Sequence, residues 1–263
     1  MSVWEALILG IIQGATEFLP VSSSGHLVMG QALMDIQIPG VAFEVAVHVA
    51  TLVSVILVYR TRVVGLASGA LQGDKGAWRY IGLLFVATIP AAAVGLGAGD
   101  FIEGLFDTPV VTGVALLVTG TFLWTTREAL ARNPDGKPGI RVALLMGVAQ
   151  ALAIVPGISR SGATVVTALW LRVDAEEAAA FSFLMAVPAI LGAAVLKLPE
   201  LSGSGLGLQA GALLIGGIAA SVTGVLAIRT FIRMLQRRWF HRFGPYCWAV
   251  GAAFLLFLLI WGR

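Results

Sequence analysis

Charge is scarce in this chain of 263 residues: Asp, Glu, Lys and Arg together make up 12% of it, about half the share found in an ordinary soluble domain. Hydrophobic residues make up 58% and the mean hydropathy is +0.93, which excludes such a domain and marks an integral membrane protein. Cysteine is nearly absent. Cys247 stands alone in an apolar segment, which excludes an internal disulfide and a cysteine-based metal cluster. The start, Met1-Ser2-Val3-Trp4-Glu5, lacks the basic n-region of a secretory signal and carries an acid instead, so the N-terminus is expected to be retained. Also lacking are the alternating segments of about ten residues that announce a β-barrel; long apolar stretches between short polar loops favour an α-helical bundle. The net charge of +3 resides in short loops. It reads as membrane orientation and leaves no footprint for a nucleic-acid partner.

What interrupts the apolar sequence is a polar, glycine-marked segment that occurs twice: Pro20-Val21-Ser22-Ser23-Ser24-Gly25-His26 and Pro156-Gly157-Ile158-Ser159-Arg160-Ser161-Gly162-Ala163-Thr164. Serines, a histidine and an arginine at membrane depth are costly unless they face a cavity, so both segments point to a polar site. Six stretches are long enough to cross the hydrocarbon: Phe43 to Tyr59, Tyr80 to Gly99, Pro109 to Thr126, Ala178 to Leu198, Leu208 to Phe231 and Tyr246 to Trp261. Val3 to Leu33 and Val142 to Leu171 are broken near the middle by proline, glycine and serine, which predicts two re-entrant helix-loop-helix hairpins.

The chain also repeats itself at an offset of about 137 residues. Gly10 and Gln13 fall on Gly147 and Gln150, Ser22-Ser23-Ser24-Gly25 on Ser159-Arg160-Ser161-Gly162, Phe106 on Phe243 and Trp124 on Trp261, while Phe43 falls on Phe181 with one residue of slippage. The expected fold is an all-α polytopic membrane protein, one membrane domain over 1–263, with repeat 1 at about 1–130 and repeat 2 at about 138–263. One hairpin and three crossings per repeat invert the second repeat relative to the first. Loop charge tests this independently. Loops after crossings one, three and five carry Arg60, Arg62, Lys75 and Arg79, then Arg127, Arg132, Lys137 and Arg141, then Arg229, Arg233, Arg237, Arg238 and Arg242; these are expected to be cytoplasmic. The loop with Asp100, Glu103 and Asp107, and the one with Lys197 and Glu200, are expected outside. Both termini and the first hairpin's mouth then lie on the outer side. Trp78, Tyr80, Trp124, Tyr246 and Trp261 fit interfacial belts.

Gln13 and Glu17 are one helical turn apart and share a stripe. A carboxylate there could hold a divalent cation, orient water, serve as a general base, or be a structural group bonded to serines. Ser22 or Ser23 can cap a new helix whose free N–H groups bind an anion. His26 follows one turn later, where it could approach a serine hydroxyl and make it a nucleophile; the same residues also serve as plain capping chemistry. The second hairpin repeats the cap with Ser159 and Ser161, adds Arg160, and puts Thr164 a turn further. An arginine fork suits phosphate oxygens, and its structural alternative is a salt bridge to Glu17. Under the offset, Ser23 matches Arg160, His26 matches Ala163 and Glu17 matches Ile154: a shared anion cradle with divergent reactive groups. Glu44 and His48, also a turn apart, could support the site or line its mouth. The stripe from Arg229 to Arg238 reads as a cytoplasmic anchor, and Glu176 and Glu177 as the first turn of a helix begun by Asp174.

These residues resemble the bacitracin-resistance type of undecaprenyl-diphosphate phosphatase over essentially the whole chain. The likeness is carried by Gln13-Gly14-Ala15-Thr16-Glu17-Phe18-Leu19-Pro20 running into the serine segment, and by the Pro156 to Thr164 segment. It implies a bacterial inner-membrane enzyme that converts undecaprenyl diphosphate to undecaprenyl phosphate and inorganic phosphate, recycling the lipid carrier for peptidoglycan and other envelope polymers. Carried over by position, the family's acidic motif falls on Gln13 and Glu17, its serines on Ser22 and Ser23, its histidine on His26, and its arginine motif on Ser159, Arg160 and Thr164. The resemblance further implies Mg²⁺ or Ca²⁺, held by Glu17 and Gln13; some members carry a glutamate where this chain has Gln13, leaving one fewer carboxylate here.

The expectation is therefore a catalytic set of Glu17, Ser23, His26 and Arg160. Around it, Gln13, Ser22, Ser24, Ser159, Ser161 and Thr164 bind the substrate in a site open to the outer, periplasmic side. Ser23 is the leading nucleophile with His26 as its base; His26 itself, or water, stays open. Undecaprenyl diphosphate and membrane lipids are the expected partners, and a homodimer is carried as a further one. The rival readings are a lipid-phosphate flippase or secondary transporter of an anionic substrate, for which broken inverted repeats serve equally well, and an intramembrane serine hydrolase, which the phosphate-seeking Arg160 argues against.

Overall fold

Local capping fixes where several helices begin. Ser2 and Glu5 close a reciprocal capping box at the start of α1 (Val3–Phe18), with Glu5 N donating to Ser2 Oγ at 3.2 Å and Ser2 N to Glu5 Oε2 at 2.8 Å. After it come α2 (Ser23–Met34), α3 (Ala42–Val58), α4 (Arg60–Leu71) and α5 (Lys75–Gly97), the last capped by Asp74, whose carboxylate accepts from Gly76 N and Ala77 N. Then follow α6 (Gly99–Phe106), α7 (Pro109–Trp124) with proline at its first position, α8 (Thr126–Ala131), α9 (Ile140–Leu152), α10 (Arg160–Trp170), α11 (Ala175–Leu201), α12 (Leu206–Gln236), a 3₁₀ turn at Phe240–Arg242, and α13 (Phe243–Trp261). Asp174 caps α11 by accepting from Glu176 N and Glu177 N, as its sequence position predicts.

This computed structural model describes residues 2–34, 42–106, 108–201 and 206–261. Asp107 and the side chains of Glu44, Asp100, Glu103, Lys197, Glu200 and Trp261, on which part of the loop-charge, belt and site reading rests, lie outside the described residues. Among the described residues there is no strand, and five helices are long and apolar enough to cross a membrane; α3 and α4 make a sixth if that pair, bent by 83°, is one span. The bend is at Tyr59, so α4, with Arg60 and Arg62, turns away from the line of α3 instead of prolonging it. Arg62 holds Glu177 of α11 through both guanidinium nitrogens, at 3.1 and 2.5 Å, and its guanidinium lies 4.8 Å from the centre of the Tyr80 ring. The predicted breaks fall where the prolines and serines stand: Leu19 to Ser22 separates α1 from α2, and Ala153 to Ser159 separates α9 from α10.

Packing interleaves the two ends of the chain. The most extensive partner of α1 is α12, and that of α9 is α5; α12 also packs along α3, α5 along α11, and α7 along α13. Gly14 makes the first of these contacts feasible, because an added Cβ would overlap the carbonyl oxygen of Ala220 and the hydroxyl of Thr223. The α3–α12 seam is closed by a reciprocal pair of bonds, Ser54 Oγ to Ser221 O and Ser221 Oγ to Ala50 O, both 2.8 Å. Beneath the end of α1, Phe18, Phe183, Phe231 and Phe240 form an edge-to-face chain with successive ring centres 5.4, 4.9 and 4.8 Å apart. All four rings are fully buried. Large apolar residues such as Phe85, Ile89, Leu96, Leu214, Ile218 and Leu259 instead face outward, as lipid-facing positions do.

Candidate active site

The two breaks meet. Ser161 Oγ donates to Leu19 O at 3.3 Å, tying the second tip to the first. Each tip opens its outgoing helix with the same cap: Ser22 Oγ accepts from Gly25 N at 3.3 Å and sits 3.3 Å from Ser24 Oγ, while Ser159 Oγ accepts from Gly162 N at 3.1 Å and sits 3.3 Å from Ser161 Oγ. The second tip is pinned to α7 by Thr119, whose hydroxyl donates to Gly157 O at 2.8 Å and accepts from Ser159 N at 3.2 Å. Gly157 has φ of 95° and presses so closely on Thr112 O that no Cβ would fit.

Between the tips lies a cavity of about 150 Å³. Glu17, Ser22, Ser23, Ser24, Ser159, Arg160 and His48 give it a polar wall, and Phe106, Ile154 and Ile158 an apolar one. Glu17 is its hub. Oε1 accepts from Arg160 Nη2 at 2.5 Å; Oε2 accepts from Ser23 Oγ at 2.7 Å and from Gln13 Nε2 at 3.0 Å, with His48 Nε2 at 3.7 Å. The salt bridge that the sequence offers as the structural alternative for Arg160 is thus formed, across 143 residues, on the carboxylate oxygen opposite the one that the serine hydroxyl meets. Arg160 is further held by Ser182 O, 3.5 Å from Nη1.

The remaining expected residues lie off the cavity wall. Gln13 sits behind Glu17; Ser161 points to Leu19 O. Thr164 Oγ1 lies 2.6 Å from Ser182 Oγ and donates to Arg160 O at 2.8 Å, so it steadies α10 at the arginine. His26 does not reach Ser23. Its Nδ1 is 2.9 Å from Ser22 O, which can only accept, so Nδ1 carries a proton; in the neutral ring Nε2 then accepts from Tyr246 Oη at 2.7 Å. The hydroxyl of Ser23 is therefore bonded to a carboxylate rather than to an imidazole. A serine hydroxyl on a buried carboxylate, with a guanidinium alongside, can give up its proton to the acid while the arginine holds an anion.

Gln13 and Glu17 do not make a cation site in this arrangement. Both oxygens of Glu17 already accept from Arg160, Ser23 and Gln13, and no group of three or more His, Cys, Asp or Glu side chains suited to a metal occurs among the described residues. Gln13 Oε1 is buried without a partner, but one amide oxygen beside a carboxylate bound to arginine falls short of the several hard oxygen ligands that Mg²⁺ or Ca²⁺ takes.

His48, Ser182, Phe106 and Tyr246 contribute contacts that the motifs do not announce. His48 alone carried a signal, its one-turn spacing from Glu44.

The model of the family described as "Bacitracin resistance protein BacA" matches residues 6–253. Curated relatives include the undecaprenyl-diphosphatase of Desulforapulum autotrophicum, 41% identical over 95% of this chain and 96% of its own length. That of Alkaliphilus metalliredigens is 40% identical over 99% of this chain and 100% of its own length. Undecaprenyl-diphosphatase 4 of Bacillus thuringiensis subsp. konkukian is 37% identical over 97% of each. A match of this extent, with the paired tips and their shared cavity, means that the chain belongs to the BacA bacitracin-resistance family.

Proposed function

We propose that this protein hydrolyses undecaprenyl diphosphate to undecaprenyl phosphate and inorganic phosphate, and that Ser23 is the nucleophile. The reaction is the one named for its full-length relatives. The observation that carries the assignment of Ser23 is its 2.7 Å bond to Glu17, whose other oxygen meets Arg160. Arg160 and the capped tips hold the diphosphate. Ser23 Oγ attacks the terminal phosphorus as its proton passes to Glu17; the bridging P–O bond breaks and undecaprenyl phosphate leaves with the electron pair. Water then attacks the phosphoserine, the proton on Glu17 returns to Ser23 Oγ, and phosphate departs with the water's second proton. His26 keeps α2 in register through Ser22 O and Tyr246, and it is the alternative base if its ring swings inward.

The protein is a multi-pass membrane protein. We place it in the bacterial inner membrane with the cavity open to the outer side, and read α1–α2 and α9–α10 as re-entrant hairpins of an inverted repeat. The arms hold 16, 12, 13 and 11 residues, or roughly 24 Å for the longest, short of a hydrocarbon core of about 30 Å. The exchange of partners supports the repeat: α1 on α12 corresponds to α9 on α5, and α3 on α12 to α11 on α5.

The test is phosphate release from a prenyl diphosphate by the purified protein in detergent, with Ser23→Ala alongside. Stoichiometric phosphate is expected from the wild type and only background from the variant. Movement of the lipid across liposomes without phosphate release would instead favour the transporter reading.

A further inference from the structure

Phe106 and Phe243, matched by the internal repeat, are put to different uses. Phe243 meets the Phe240 ring with 6.0 Å between centres and packs against the core. Phe106, the last residue of α6, stands in the cavity wall and is 39% exposed. Transfer of a phosphoryl group to Ser23 makes no use of an aromatic ring there.

The cavity is too small for the whole of a prenyl diphosphate. Its 150 Å³ or so lies well below the roughly 300–1,000 Å³ of a pocket that encloses a drug-sized ligand, so it takes the phosphates and leaves the hydrocarbon outside. The polar wall is no exit: an apolar chain laid over Glu17, Ser23 and Arg160 would deprive buried polar groups of the contacts that make their burial tolerable. That leaves the apolar wall of Phe106, Ile154 and Ile158. Ile154 and Ile158 are half-buried, and Phe106 is the exposed member of the three. The chain nearby is apolar and open to the bilayer: Val110, at the start of α7, is 51% exposed, and Leu152, beside the cavity residue Ala153, 65%. The backbone that carries the ring is anchored. Thr108 N donates to Leu105 O at 3.3 Å and Thr108 Oγ1 to Gly104 O at 3.0 Å, and α6 packs on both α5 and α7.

We infer that Phe106 seats the first isoprene units of the substrate: the diphosphate occupies the cavity, and the prenyl chain leaves it across the Phe106 ring to the bilayer. A flat apolar ring suits a flat, methyl-branched isoprene unit. It also selects against a diphosphate with a polar remainder, such as a nucleotide, whose sugar hydroxyls would lose water against the ring without gaining partners. The inference rests on the phosphatase reading, which supplies the diphosphate in the cavity, and makes Phe106 a specificity-determining residue for it.

Two non-hydrolysable ligands with the same head test it: farnesyl methylenebisphosphonate and methyl methylenebisphosphonate. Both are titrated into purified protein in detergent, the methyl compound by competition against the farnesyl one, with each variant first shown to elute and melt like the wild type. The wild type is expected to bind the farnesyl compound at least tenfold more tightly. Phe106→Ala is expected to weaken farnesyl binding at least fivefold and methyl binding less than twofold. Phe106→Leu, which keeps an apolar side chain, is expected to weaken farnesyl binding less than threefold. Partition of the farnesyl chain into micelles is common to all variants and cancels when they are compared. Equal affinity of the wild type for the two ligands, or unchanged farnesyl binding in Phe106→Ala, would overturn the inference. Equal weakening of both ligands would overturn it as well, by showing that the ring only shapes the cavity. A wild-type protein that binds the farnesyl compound yet releases no phosphate from a prenyl diphosphate would remove the phosphatase reading instead, a result distinct from any of these binding ratios.

Discussion

At the first tip the left-handed residue is Ser22, with φ of 69°; at the second it is Gly157, two residues before the equivalent cap, with φ of 95°. A glycine adopts that conformation freely, whereas a serine there costs on the order of 1–2 kcal/mol. The strained tip is the one that runs into Ser23 and Glu17. The amides differ in the same direction: Gln13 Nε2 donates to Glu17, but both amide atoms of Gln150 are buried without a partner, and the residue one turn on is Ile154. The second tip has the cap and the glutamine but lacks the acid that the glutamine bonds at the first, and Arg160 stands there where Ser23 stands at the first.

The largest effects should come from removing what each tip alone contributes. Ser23→Ala and Arg160→Ala are each expected to lower phosphate release by about 10³-fold or more; a wild-type rate in either would undo the division between the tips. His26→Ala is expected to lose about tenfold, as for a group that holds α2 through Ser22 O and Tyr246. Tyr246→Phe, which spares the imidazole and removes one neutral hydrogen bond, should lose less than about tenfold; a loss of about 10²-fold or more in His26→Ala alone would assign His26 to proton transfer instead. Gly14→Ala and Gly147→Ala each push a Cβ into a carbonyl oxygen of the helix packed alongside, Ala220 O and Ala87 O. Each should cost about 1–3 kcal/mol in thermal unfolding in detergent, with turnover falling only for Gly14→Ala, whose helix carries Glu17. Smallest is Thr164→Val, which breaks the bond to Ser182 and is expected to cost about 1 kcal/mol and a few-fold in rate.

The two helix breaks were legible because they are chemical: prolines, glycines and serines interrupt the apolar runs there. The Ser22 and Ser159 caps followed from the same residues. The wiring of the site was not legible. Nothing near Ser23 in sequence tells whether its hydroxyl turns to His26, three residues on, or back to Glu17, because that depends on how Pro20 and a left-handed Ser22 redirect α2. Tyr246 reads as an interfacial aromatic until α13 carries it to His26 across 220 residues. Ser182 is one small residue in an oily helix, and its value at Arg160 comes wholly from the packing of α10 on α11. The turn at Tyr59 has no glycine or proline to announce it; the pairing of Arg62 with Glu177 accompanies it, and that pairing too is long-range.

The dependence of α1 on α12 has a consequence for how the protein is made. The helix that presents Glu17 leaves the ribosome before α12 does, and the surface that receives its glycines is encoded about 200 residues later. At 5–20 residues per second that interval is roughly 10–40 s. Through it the nascent arm, too short to span and bearing a carboxylate, must wait at the membrane for a partner that does not yet exist. The helix that carries Glu17 is thus synthesised well before the helix it packs on, and a chain that stops before α12 leaves it without its berth.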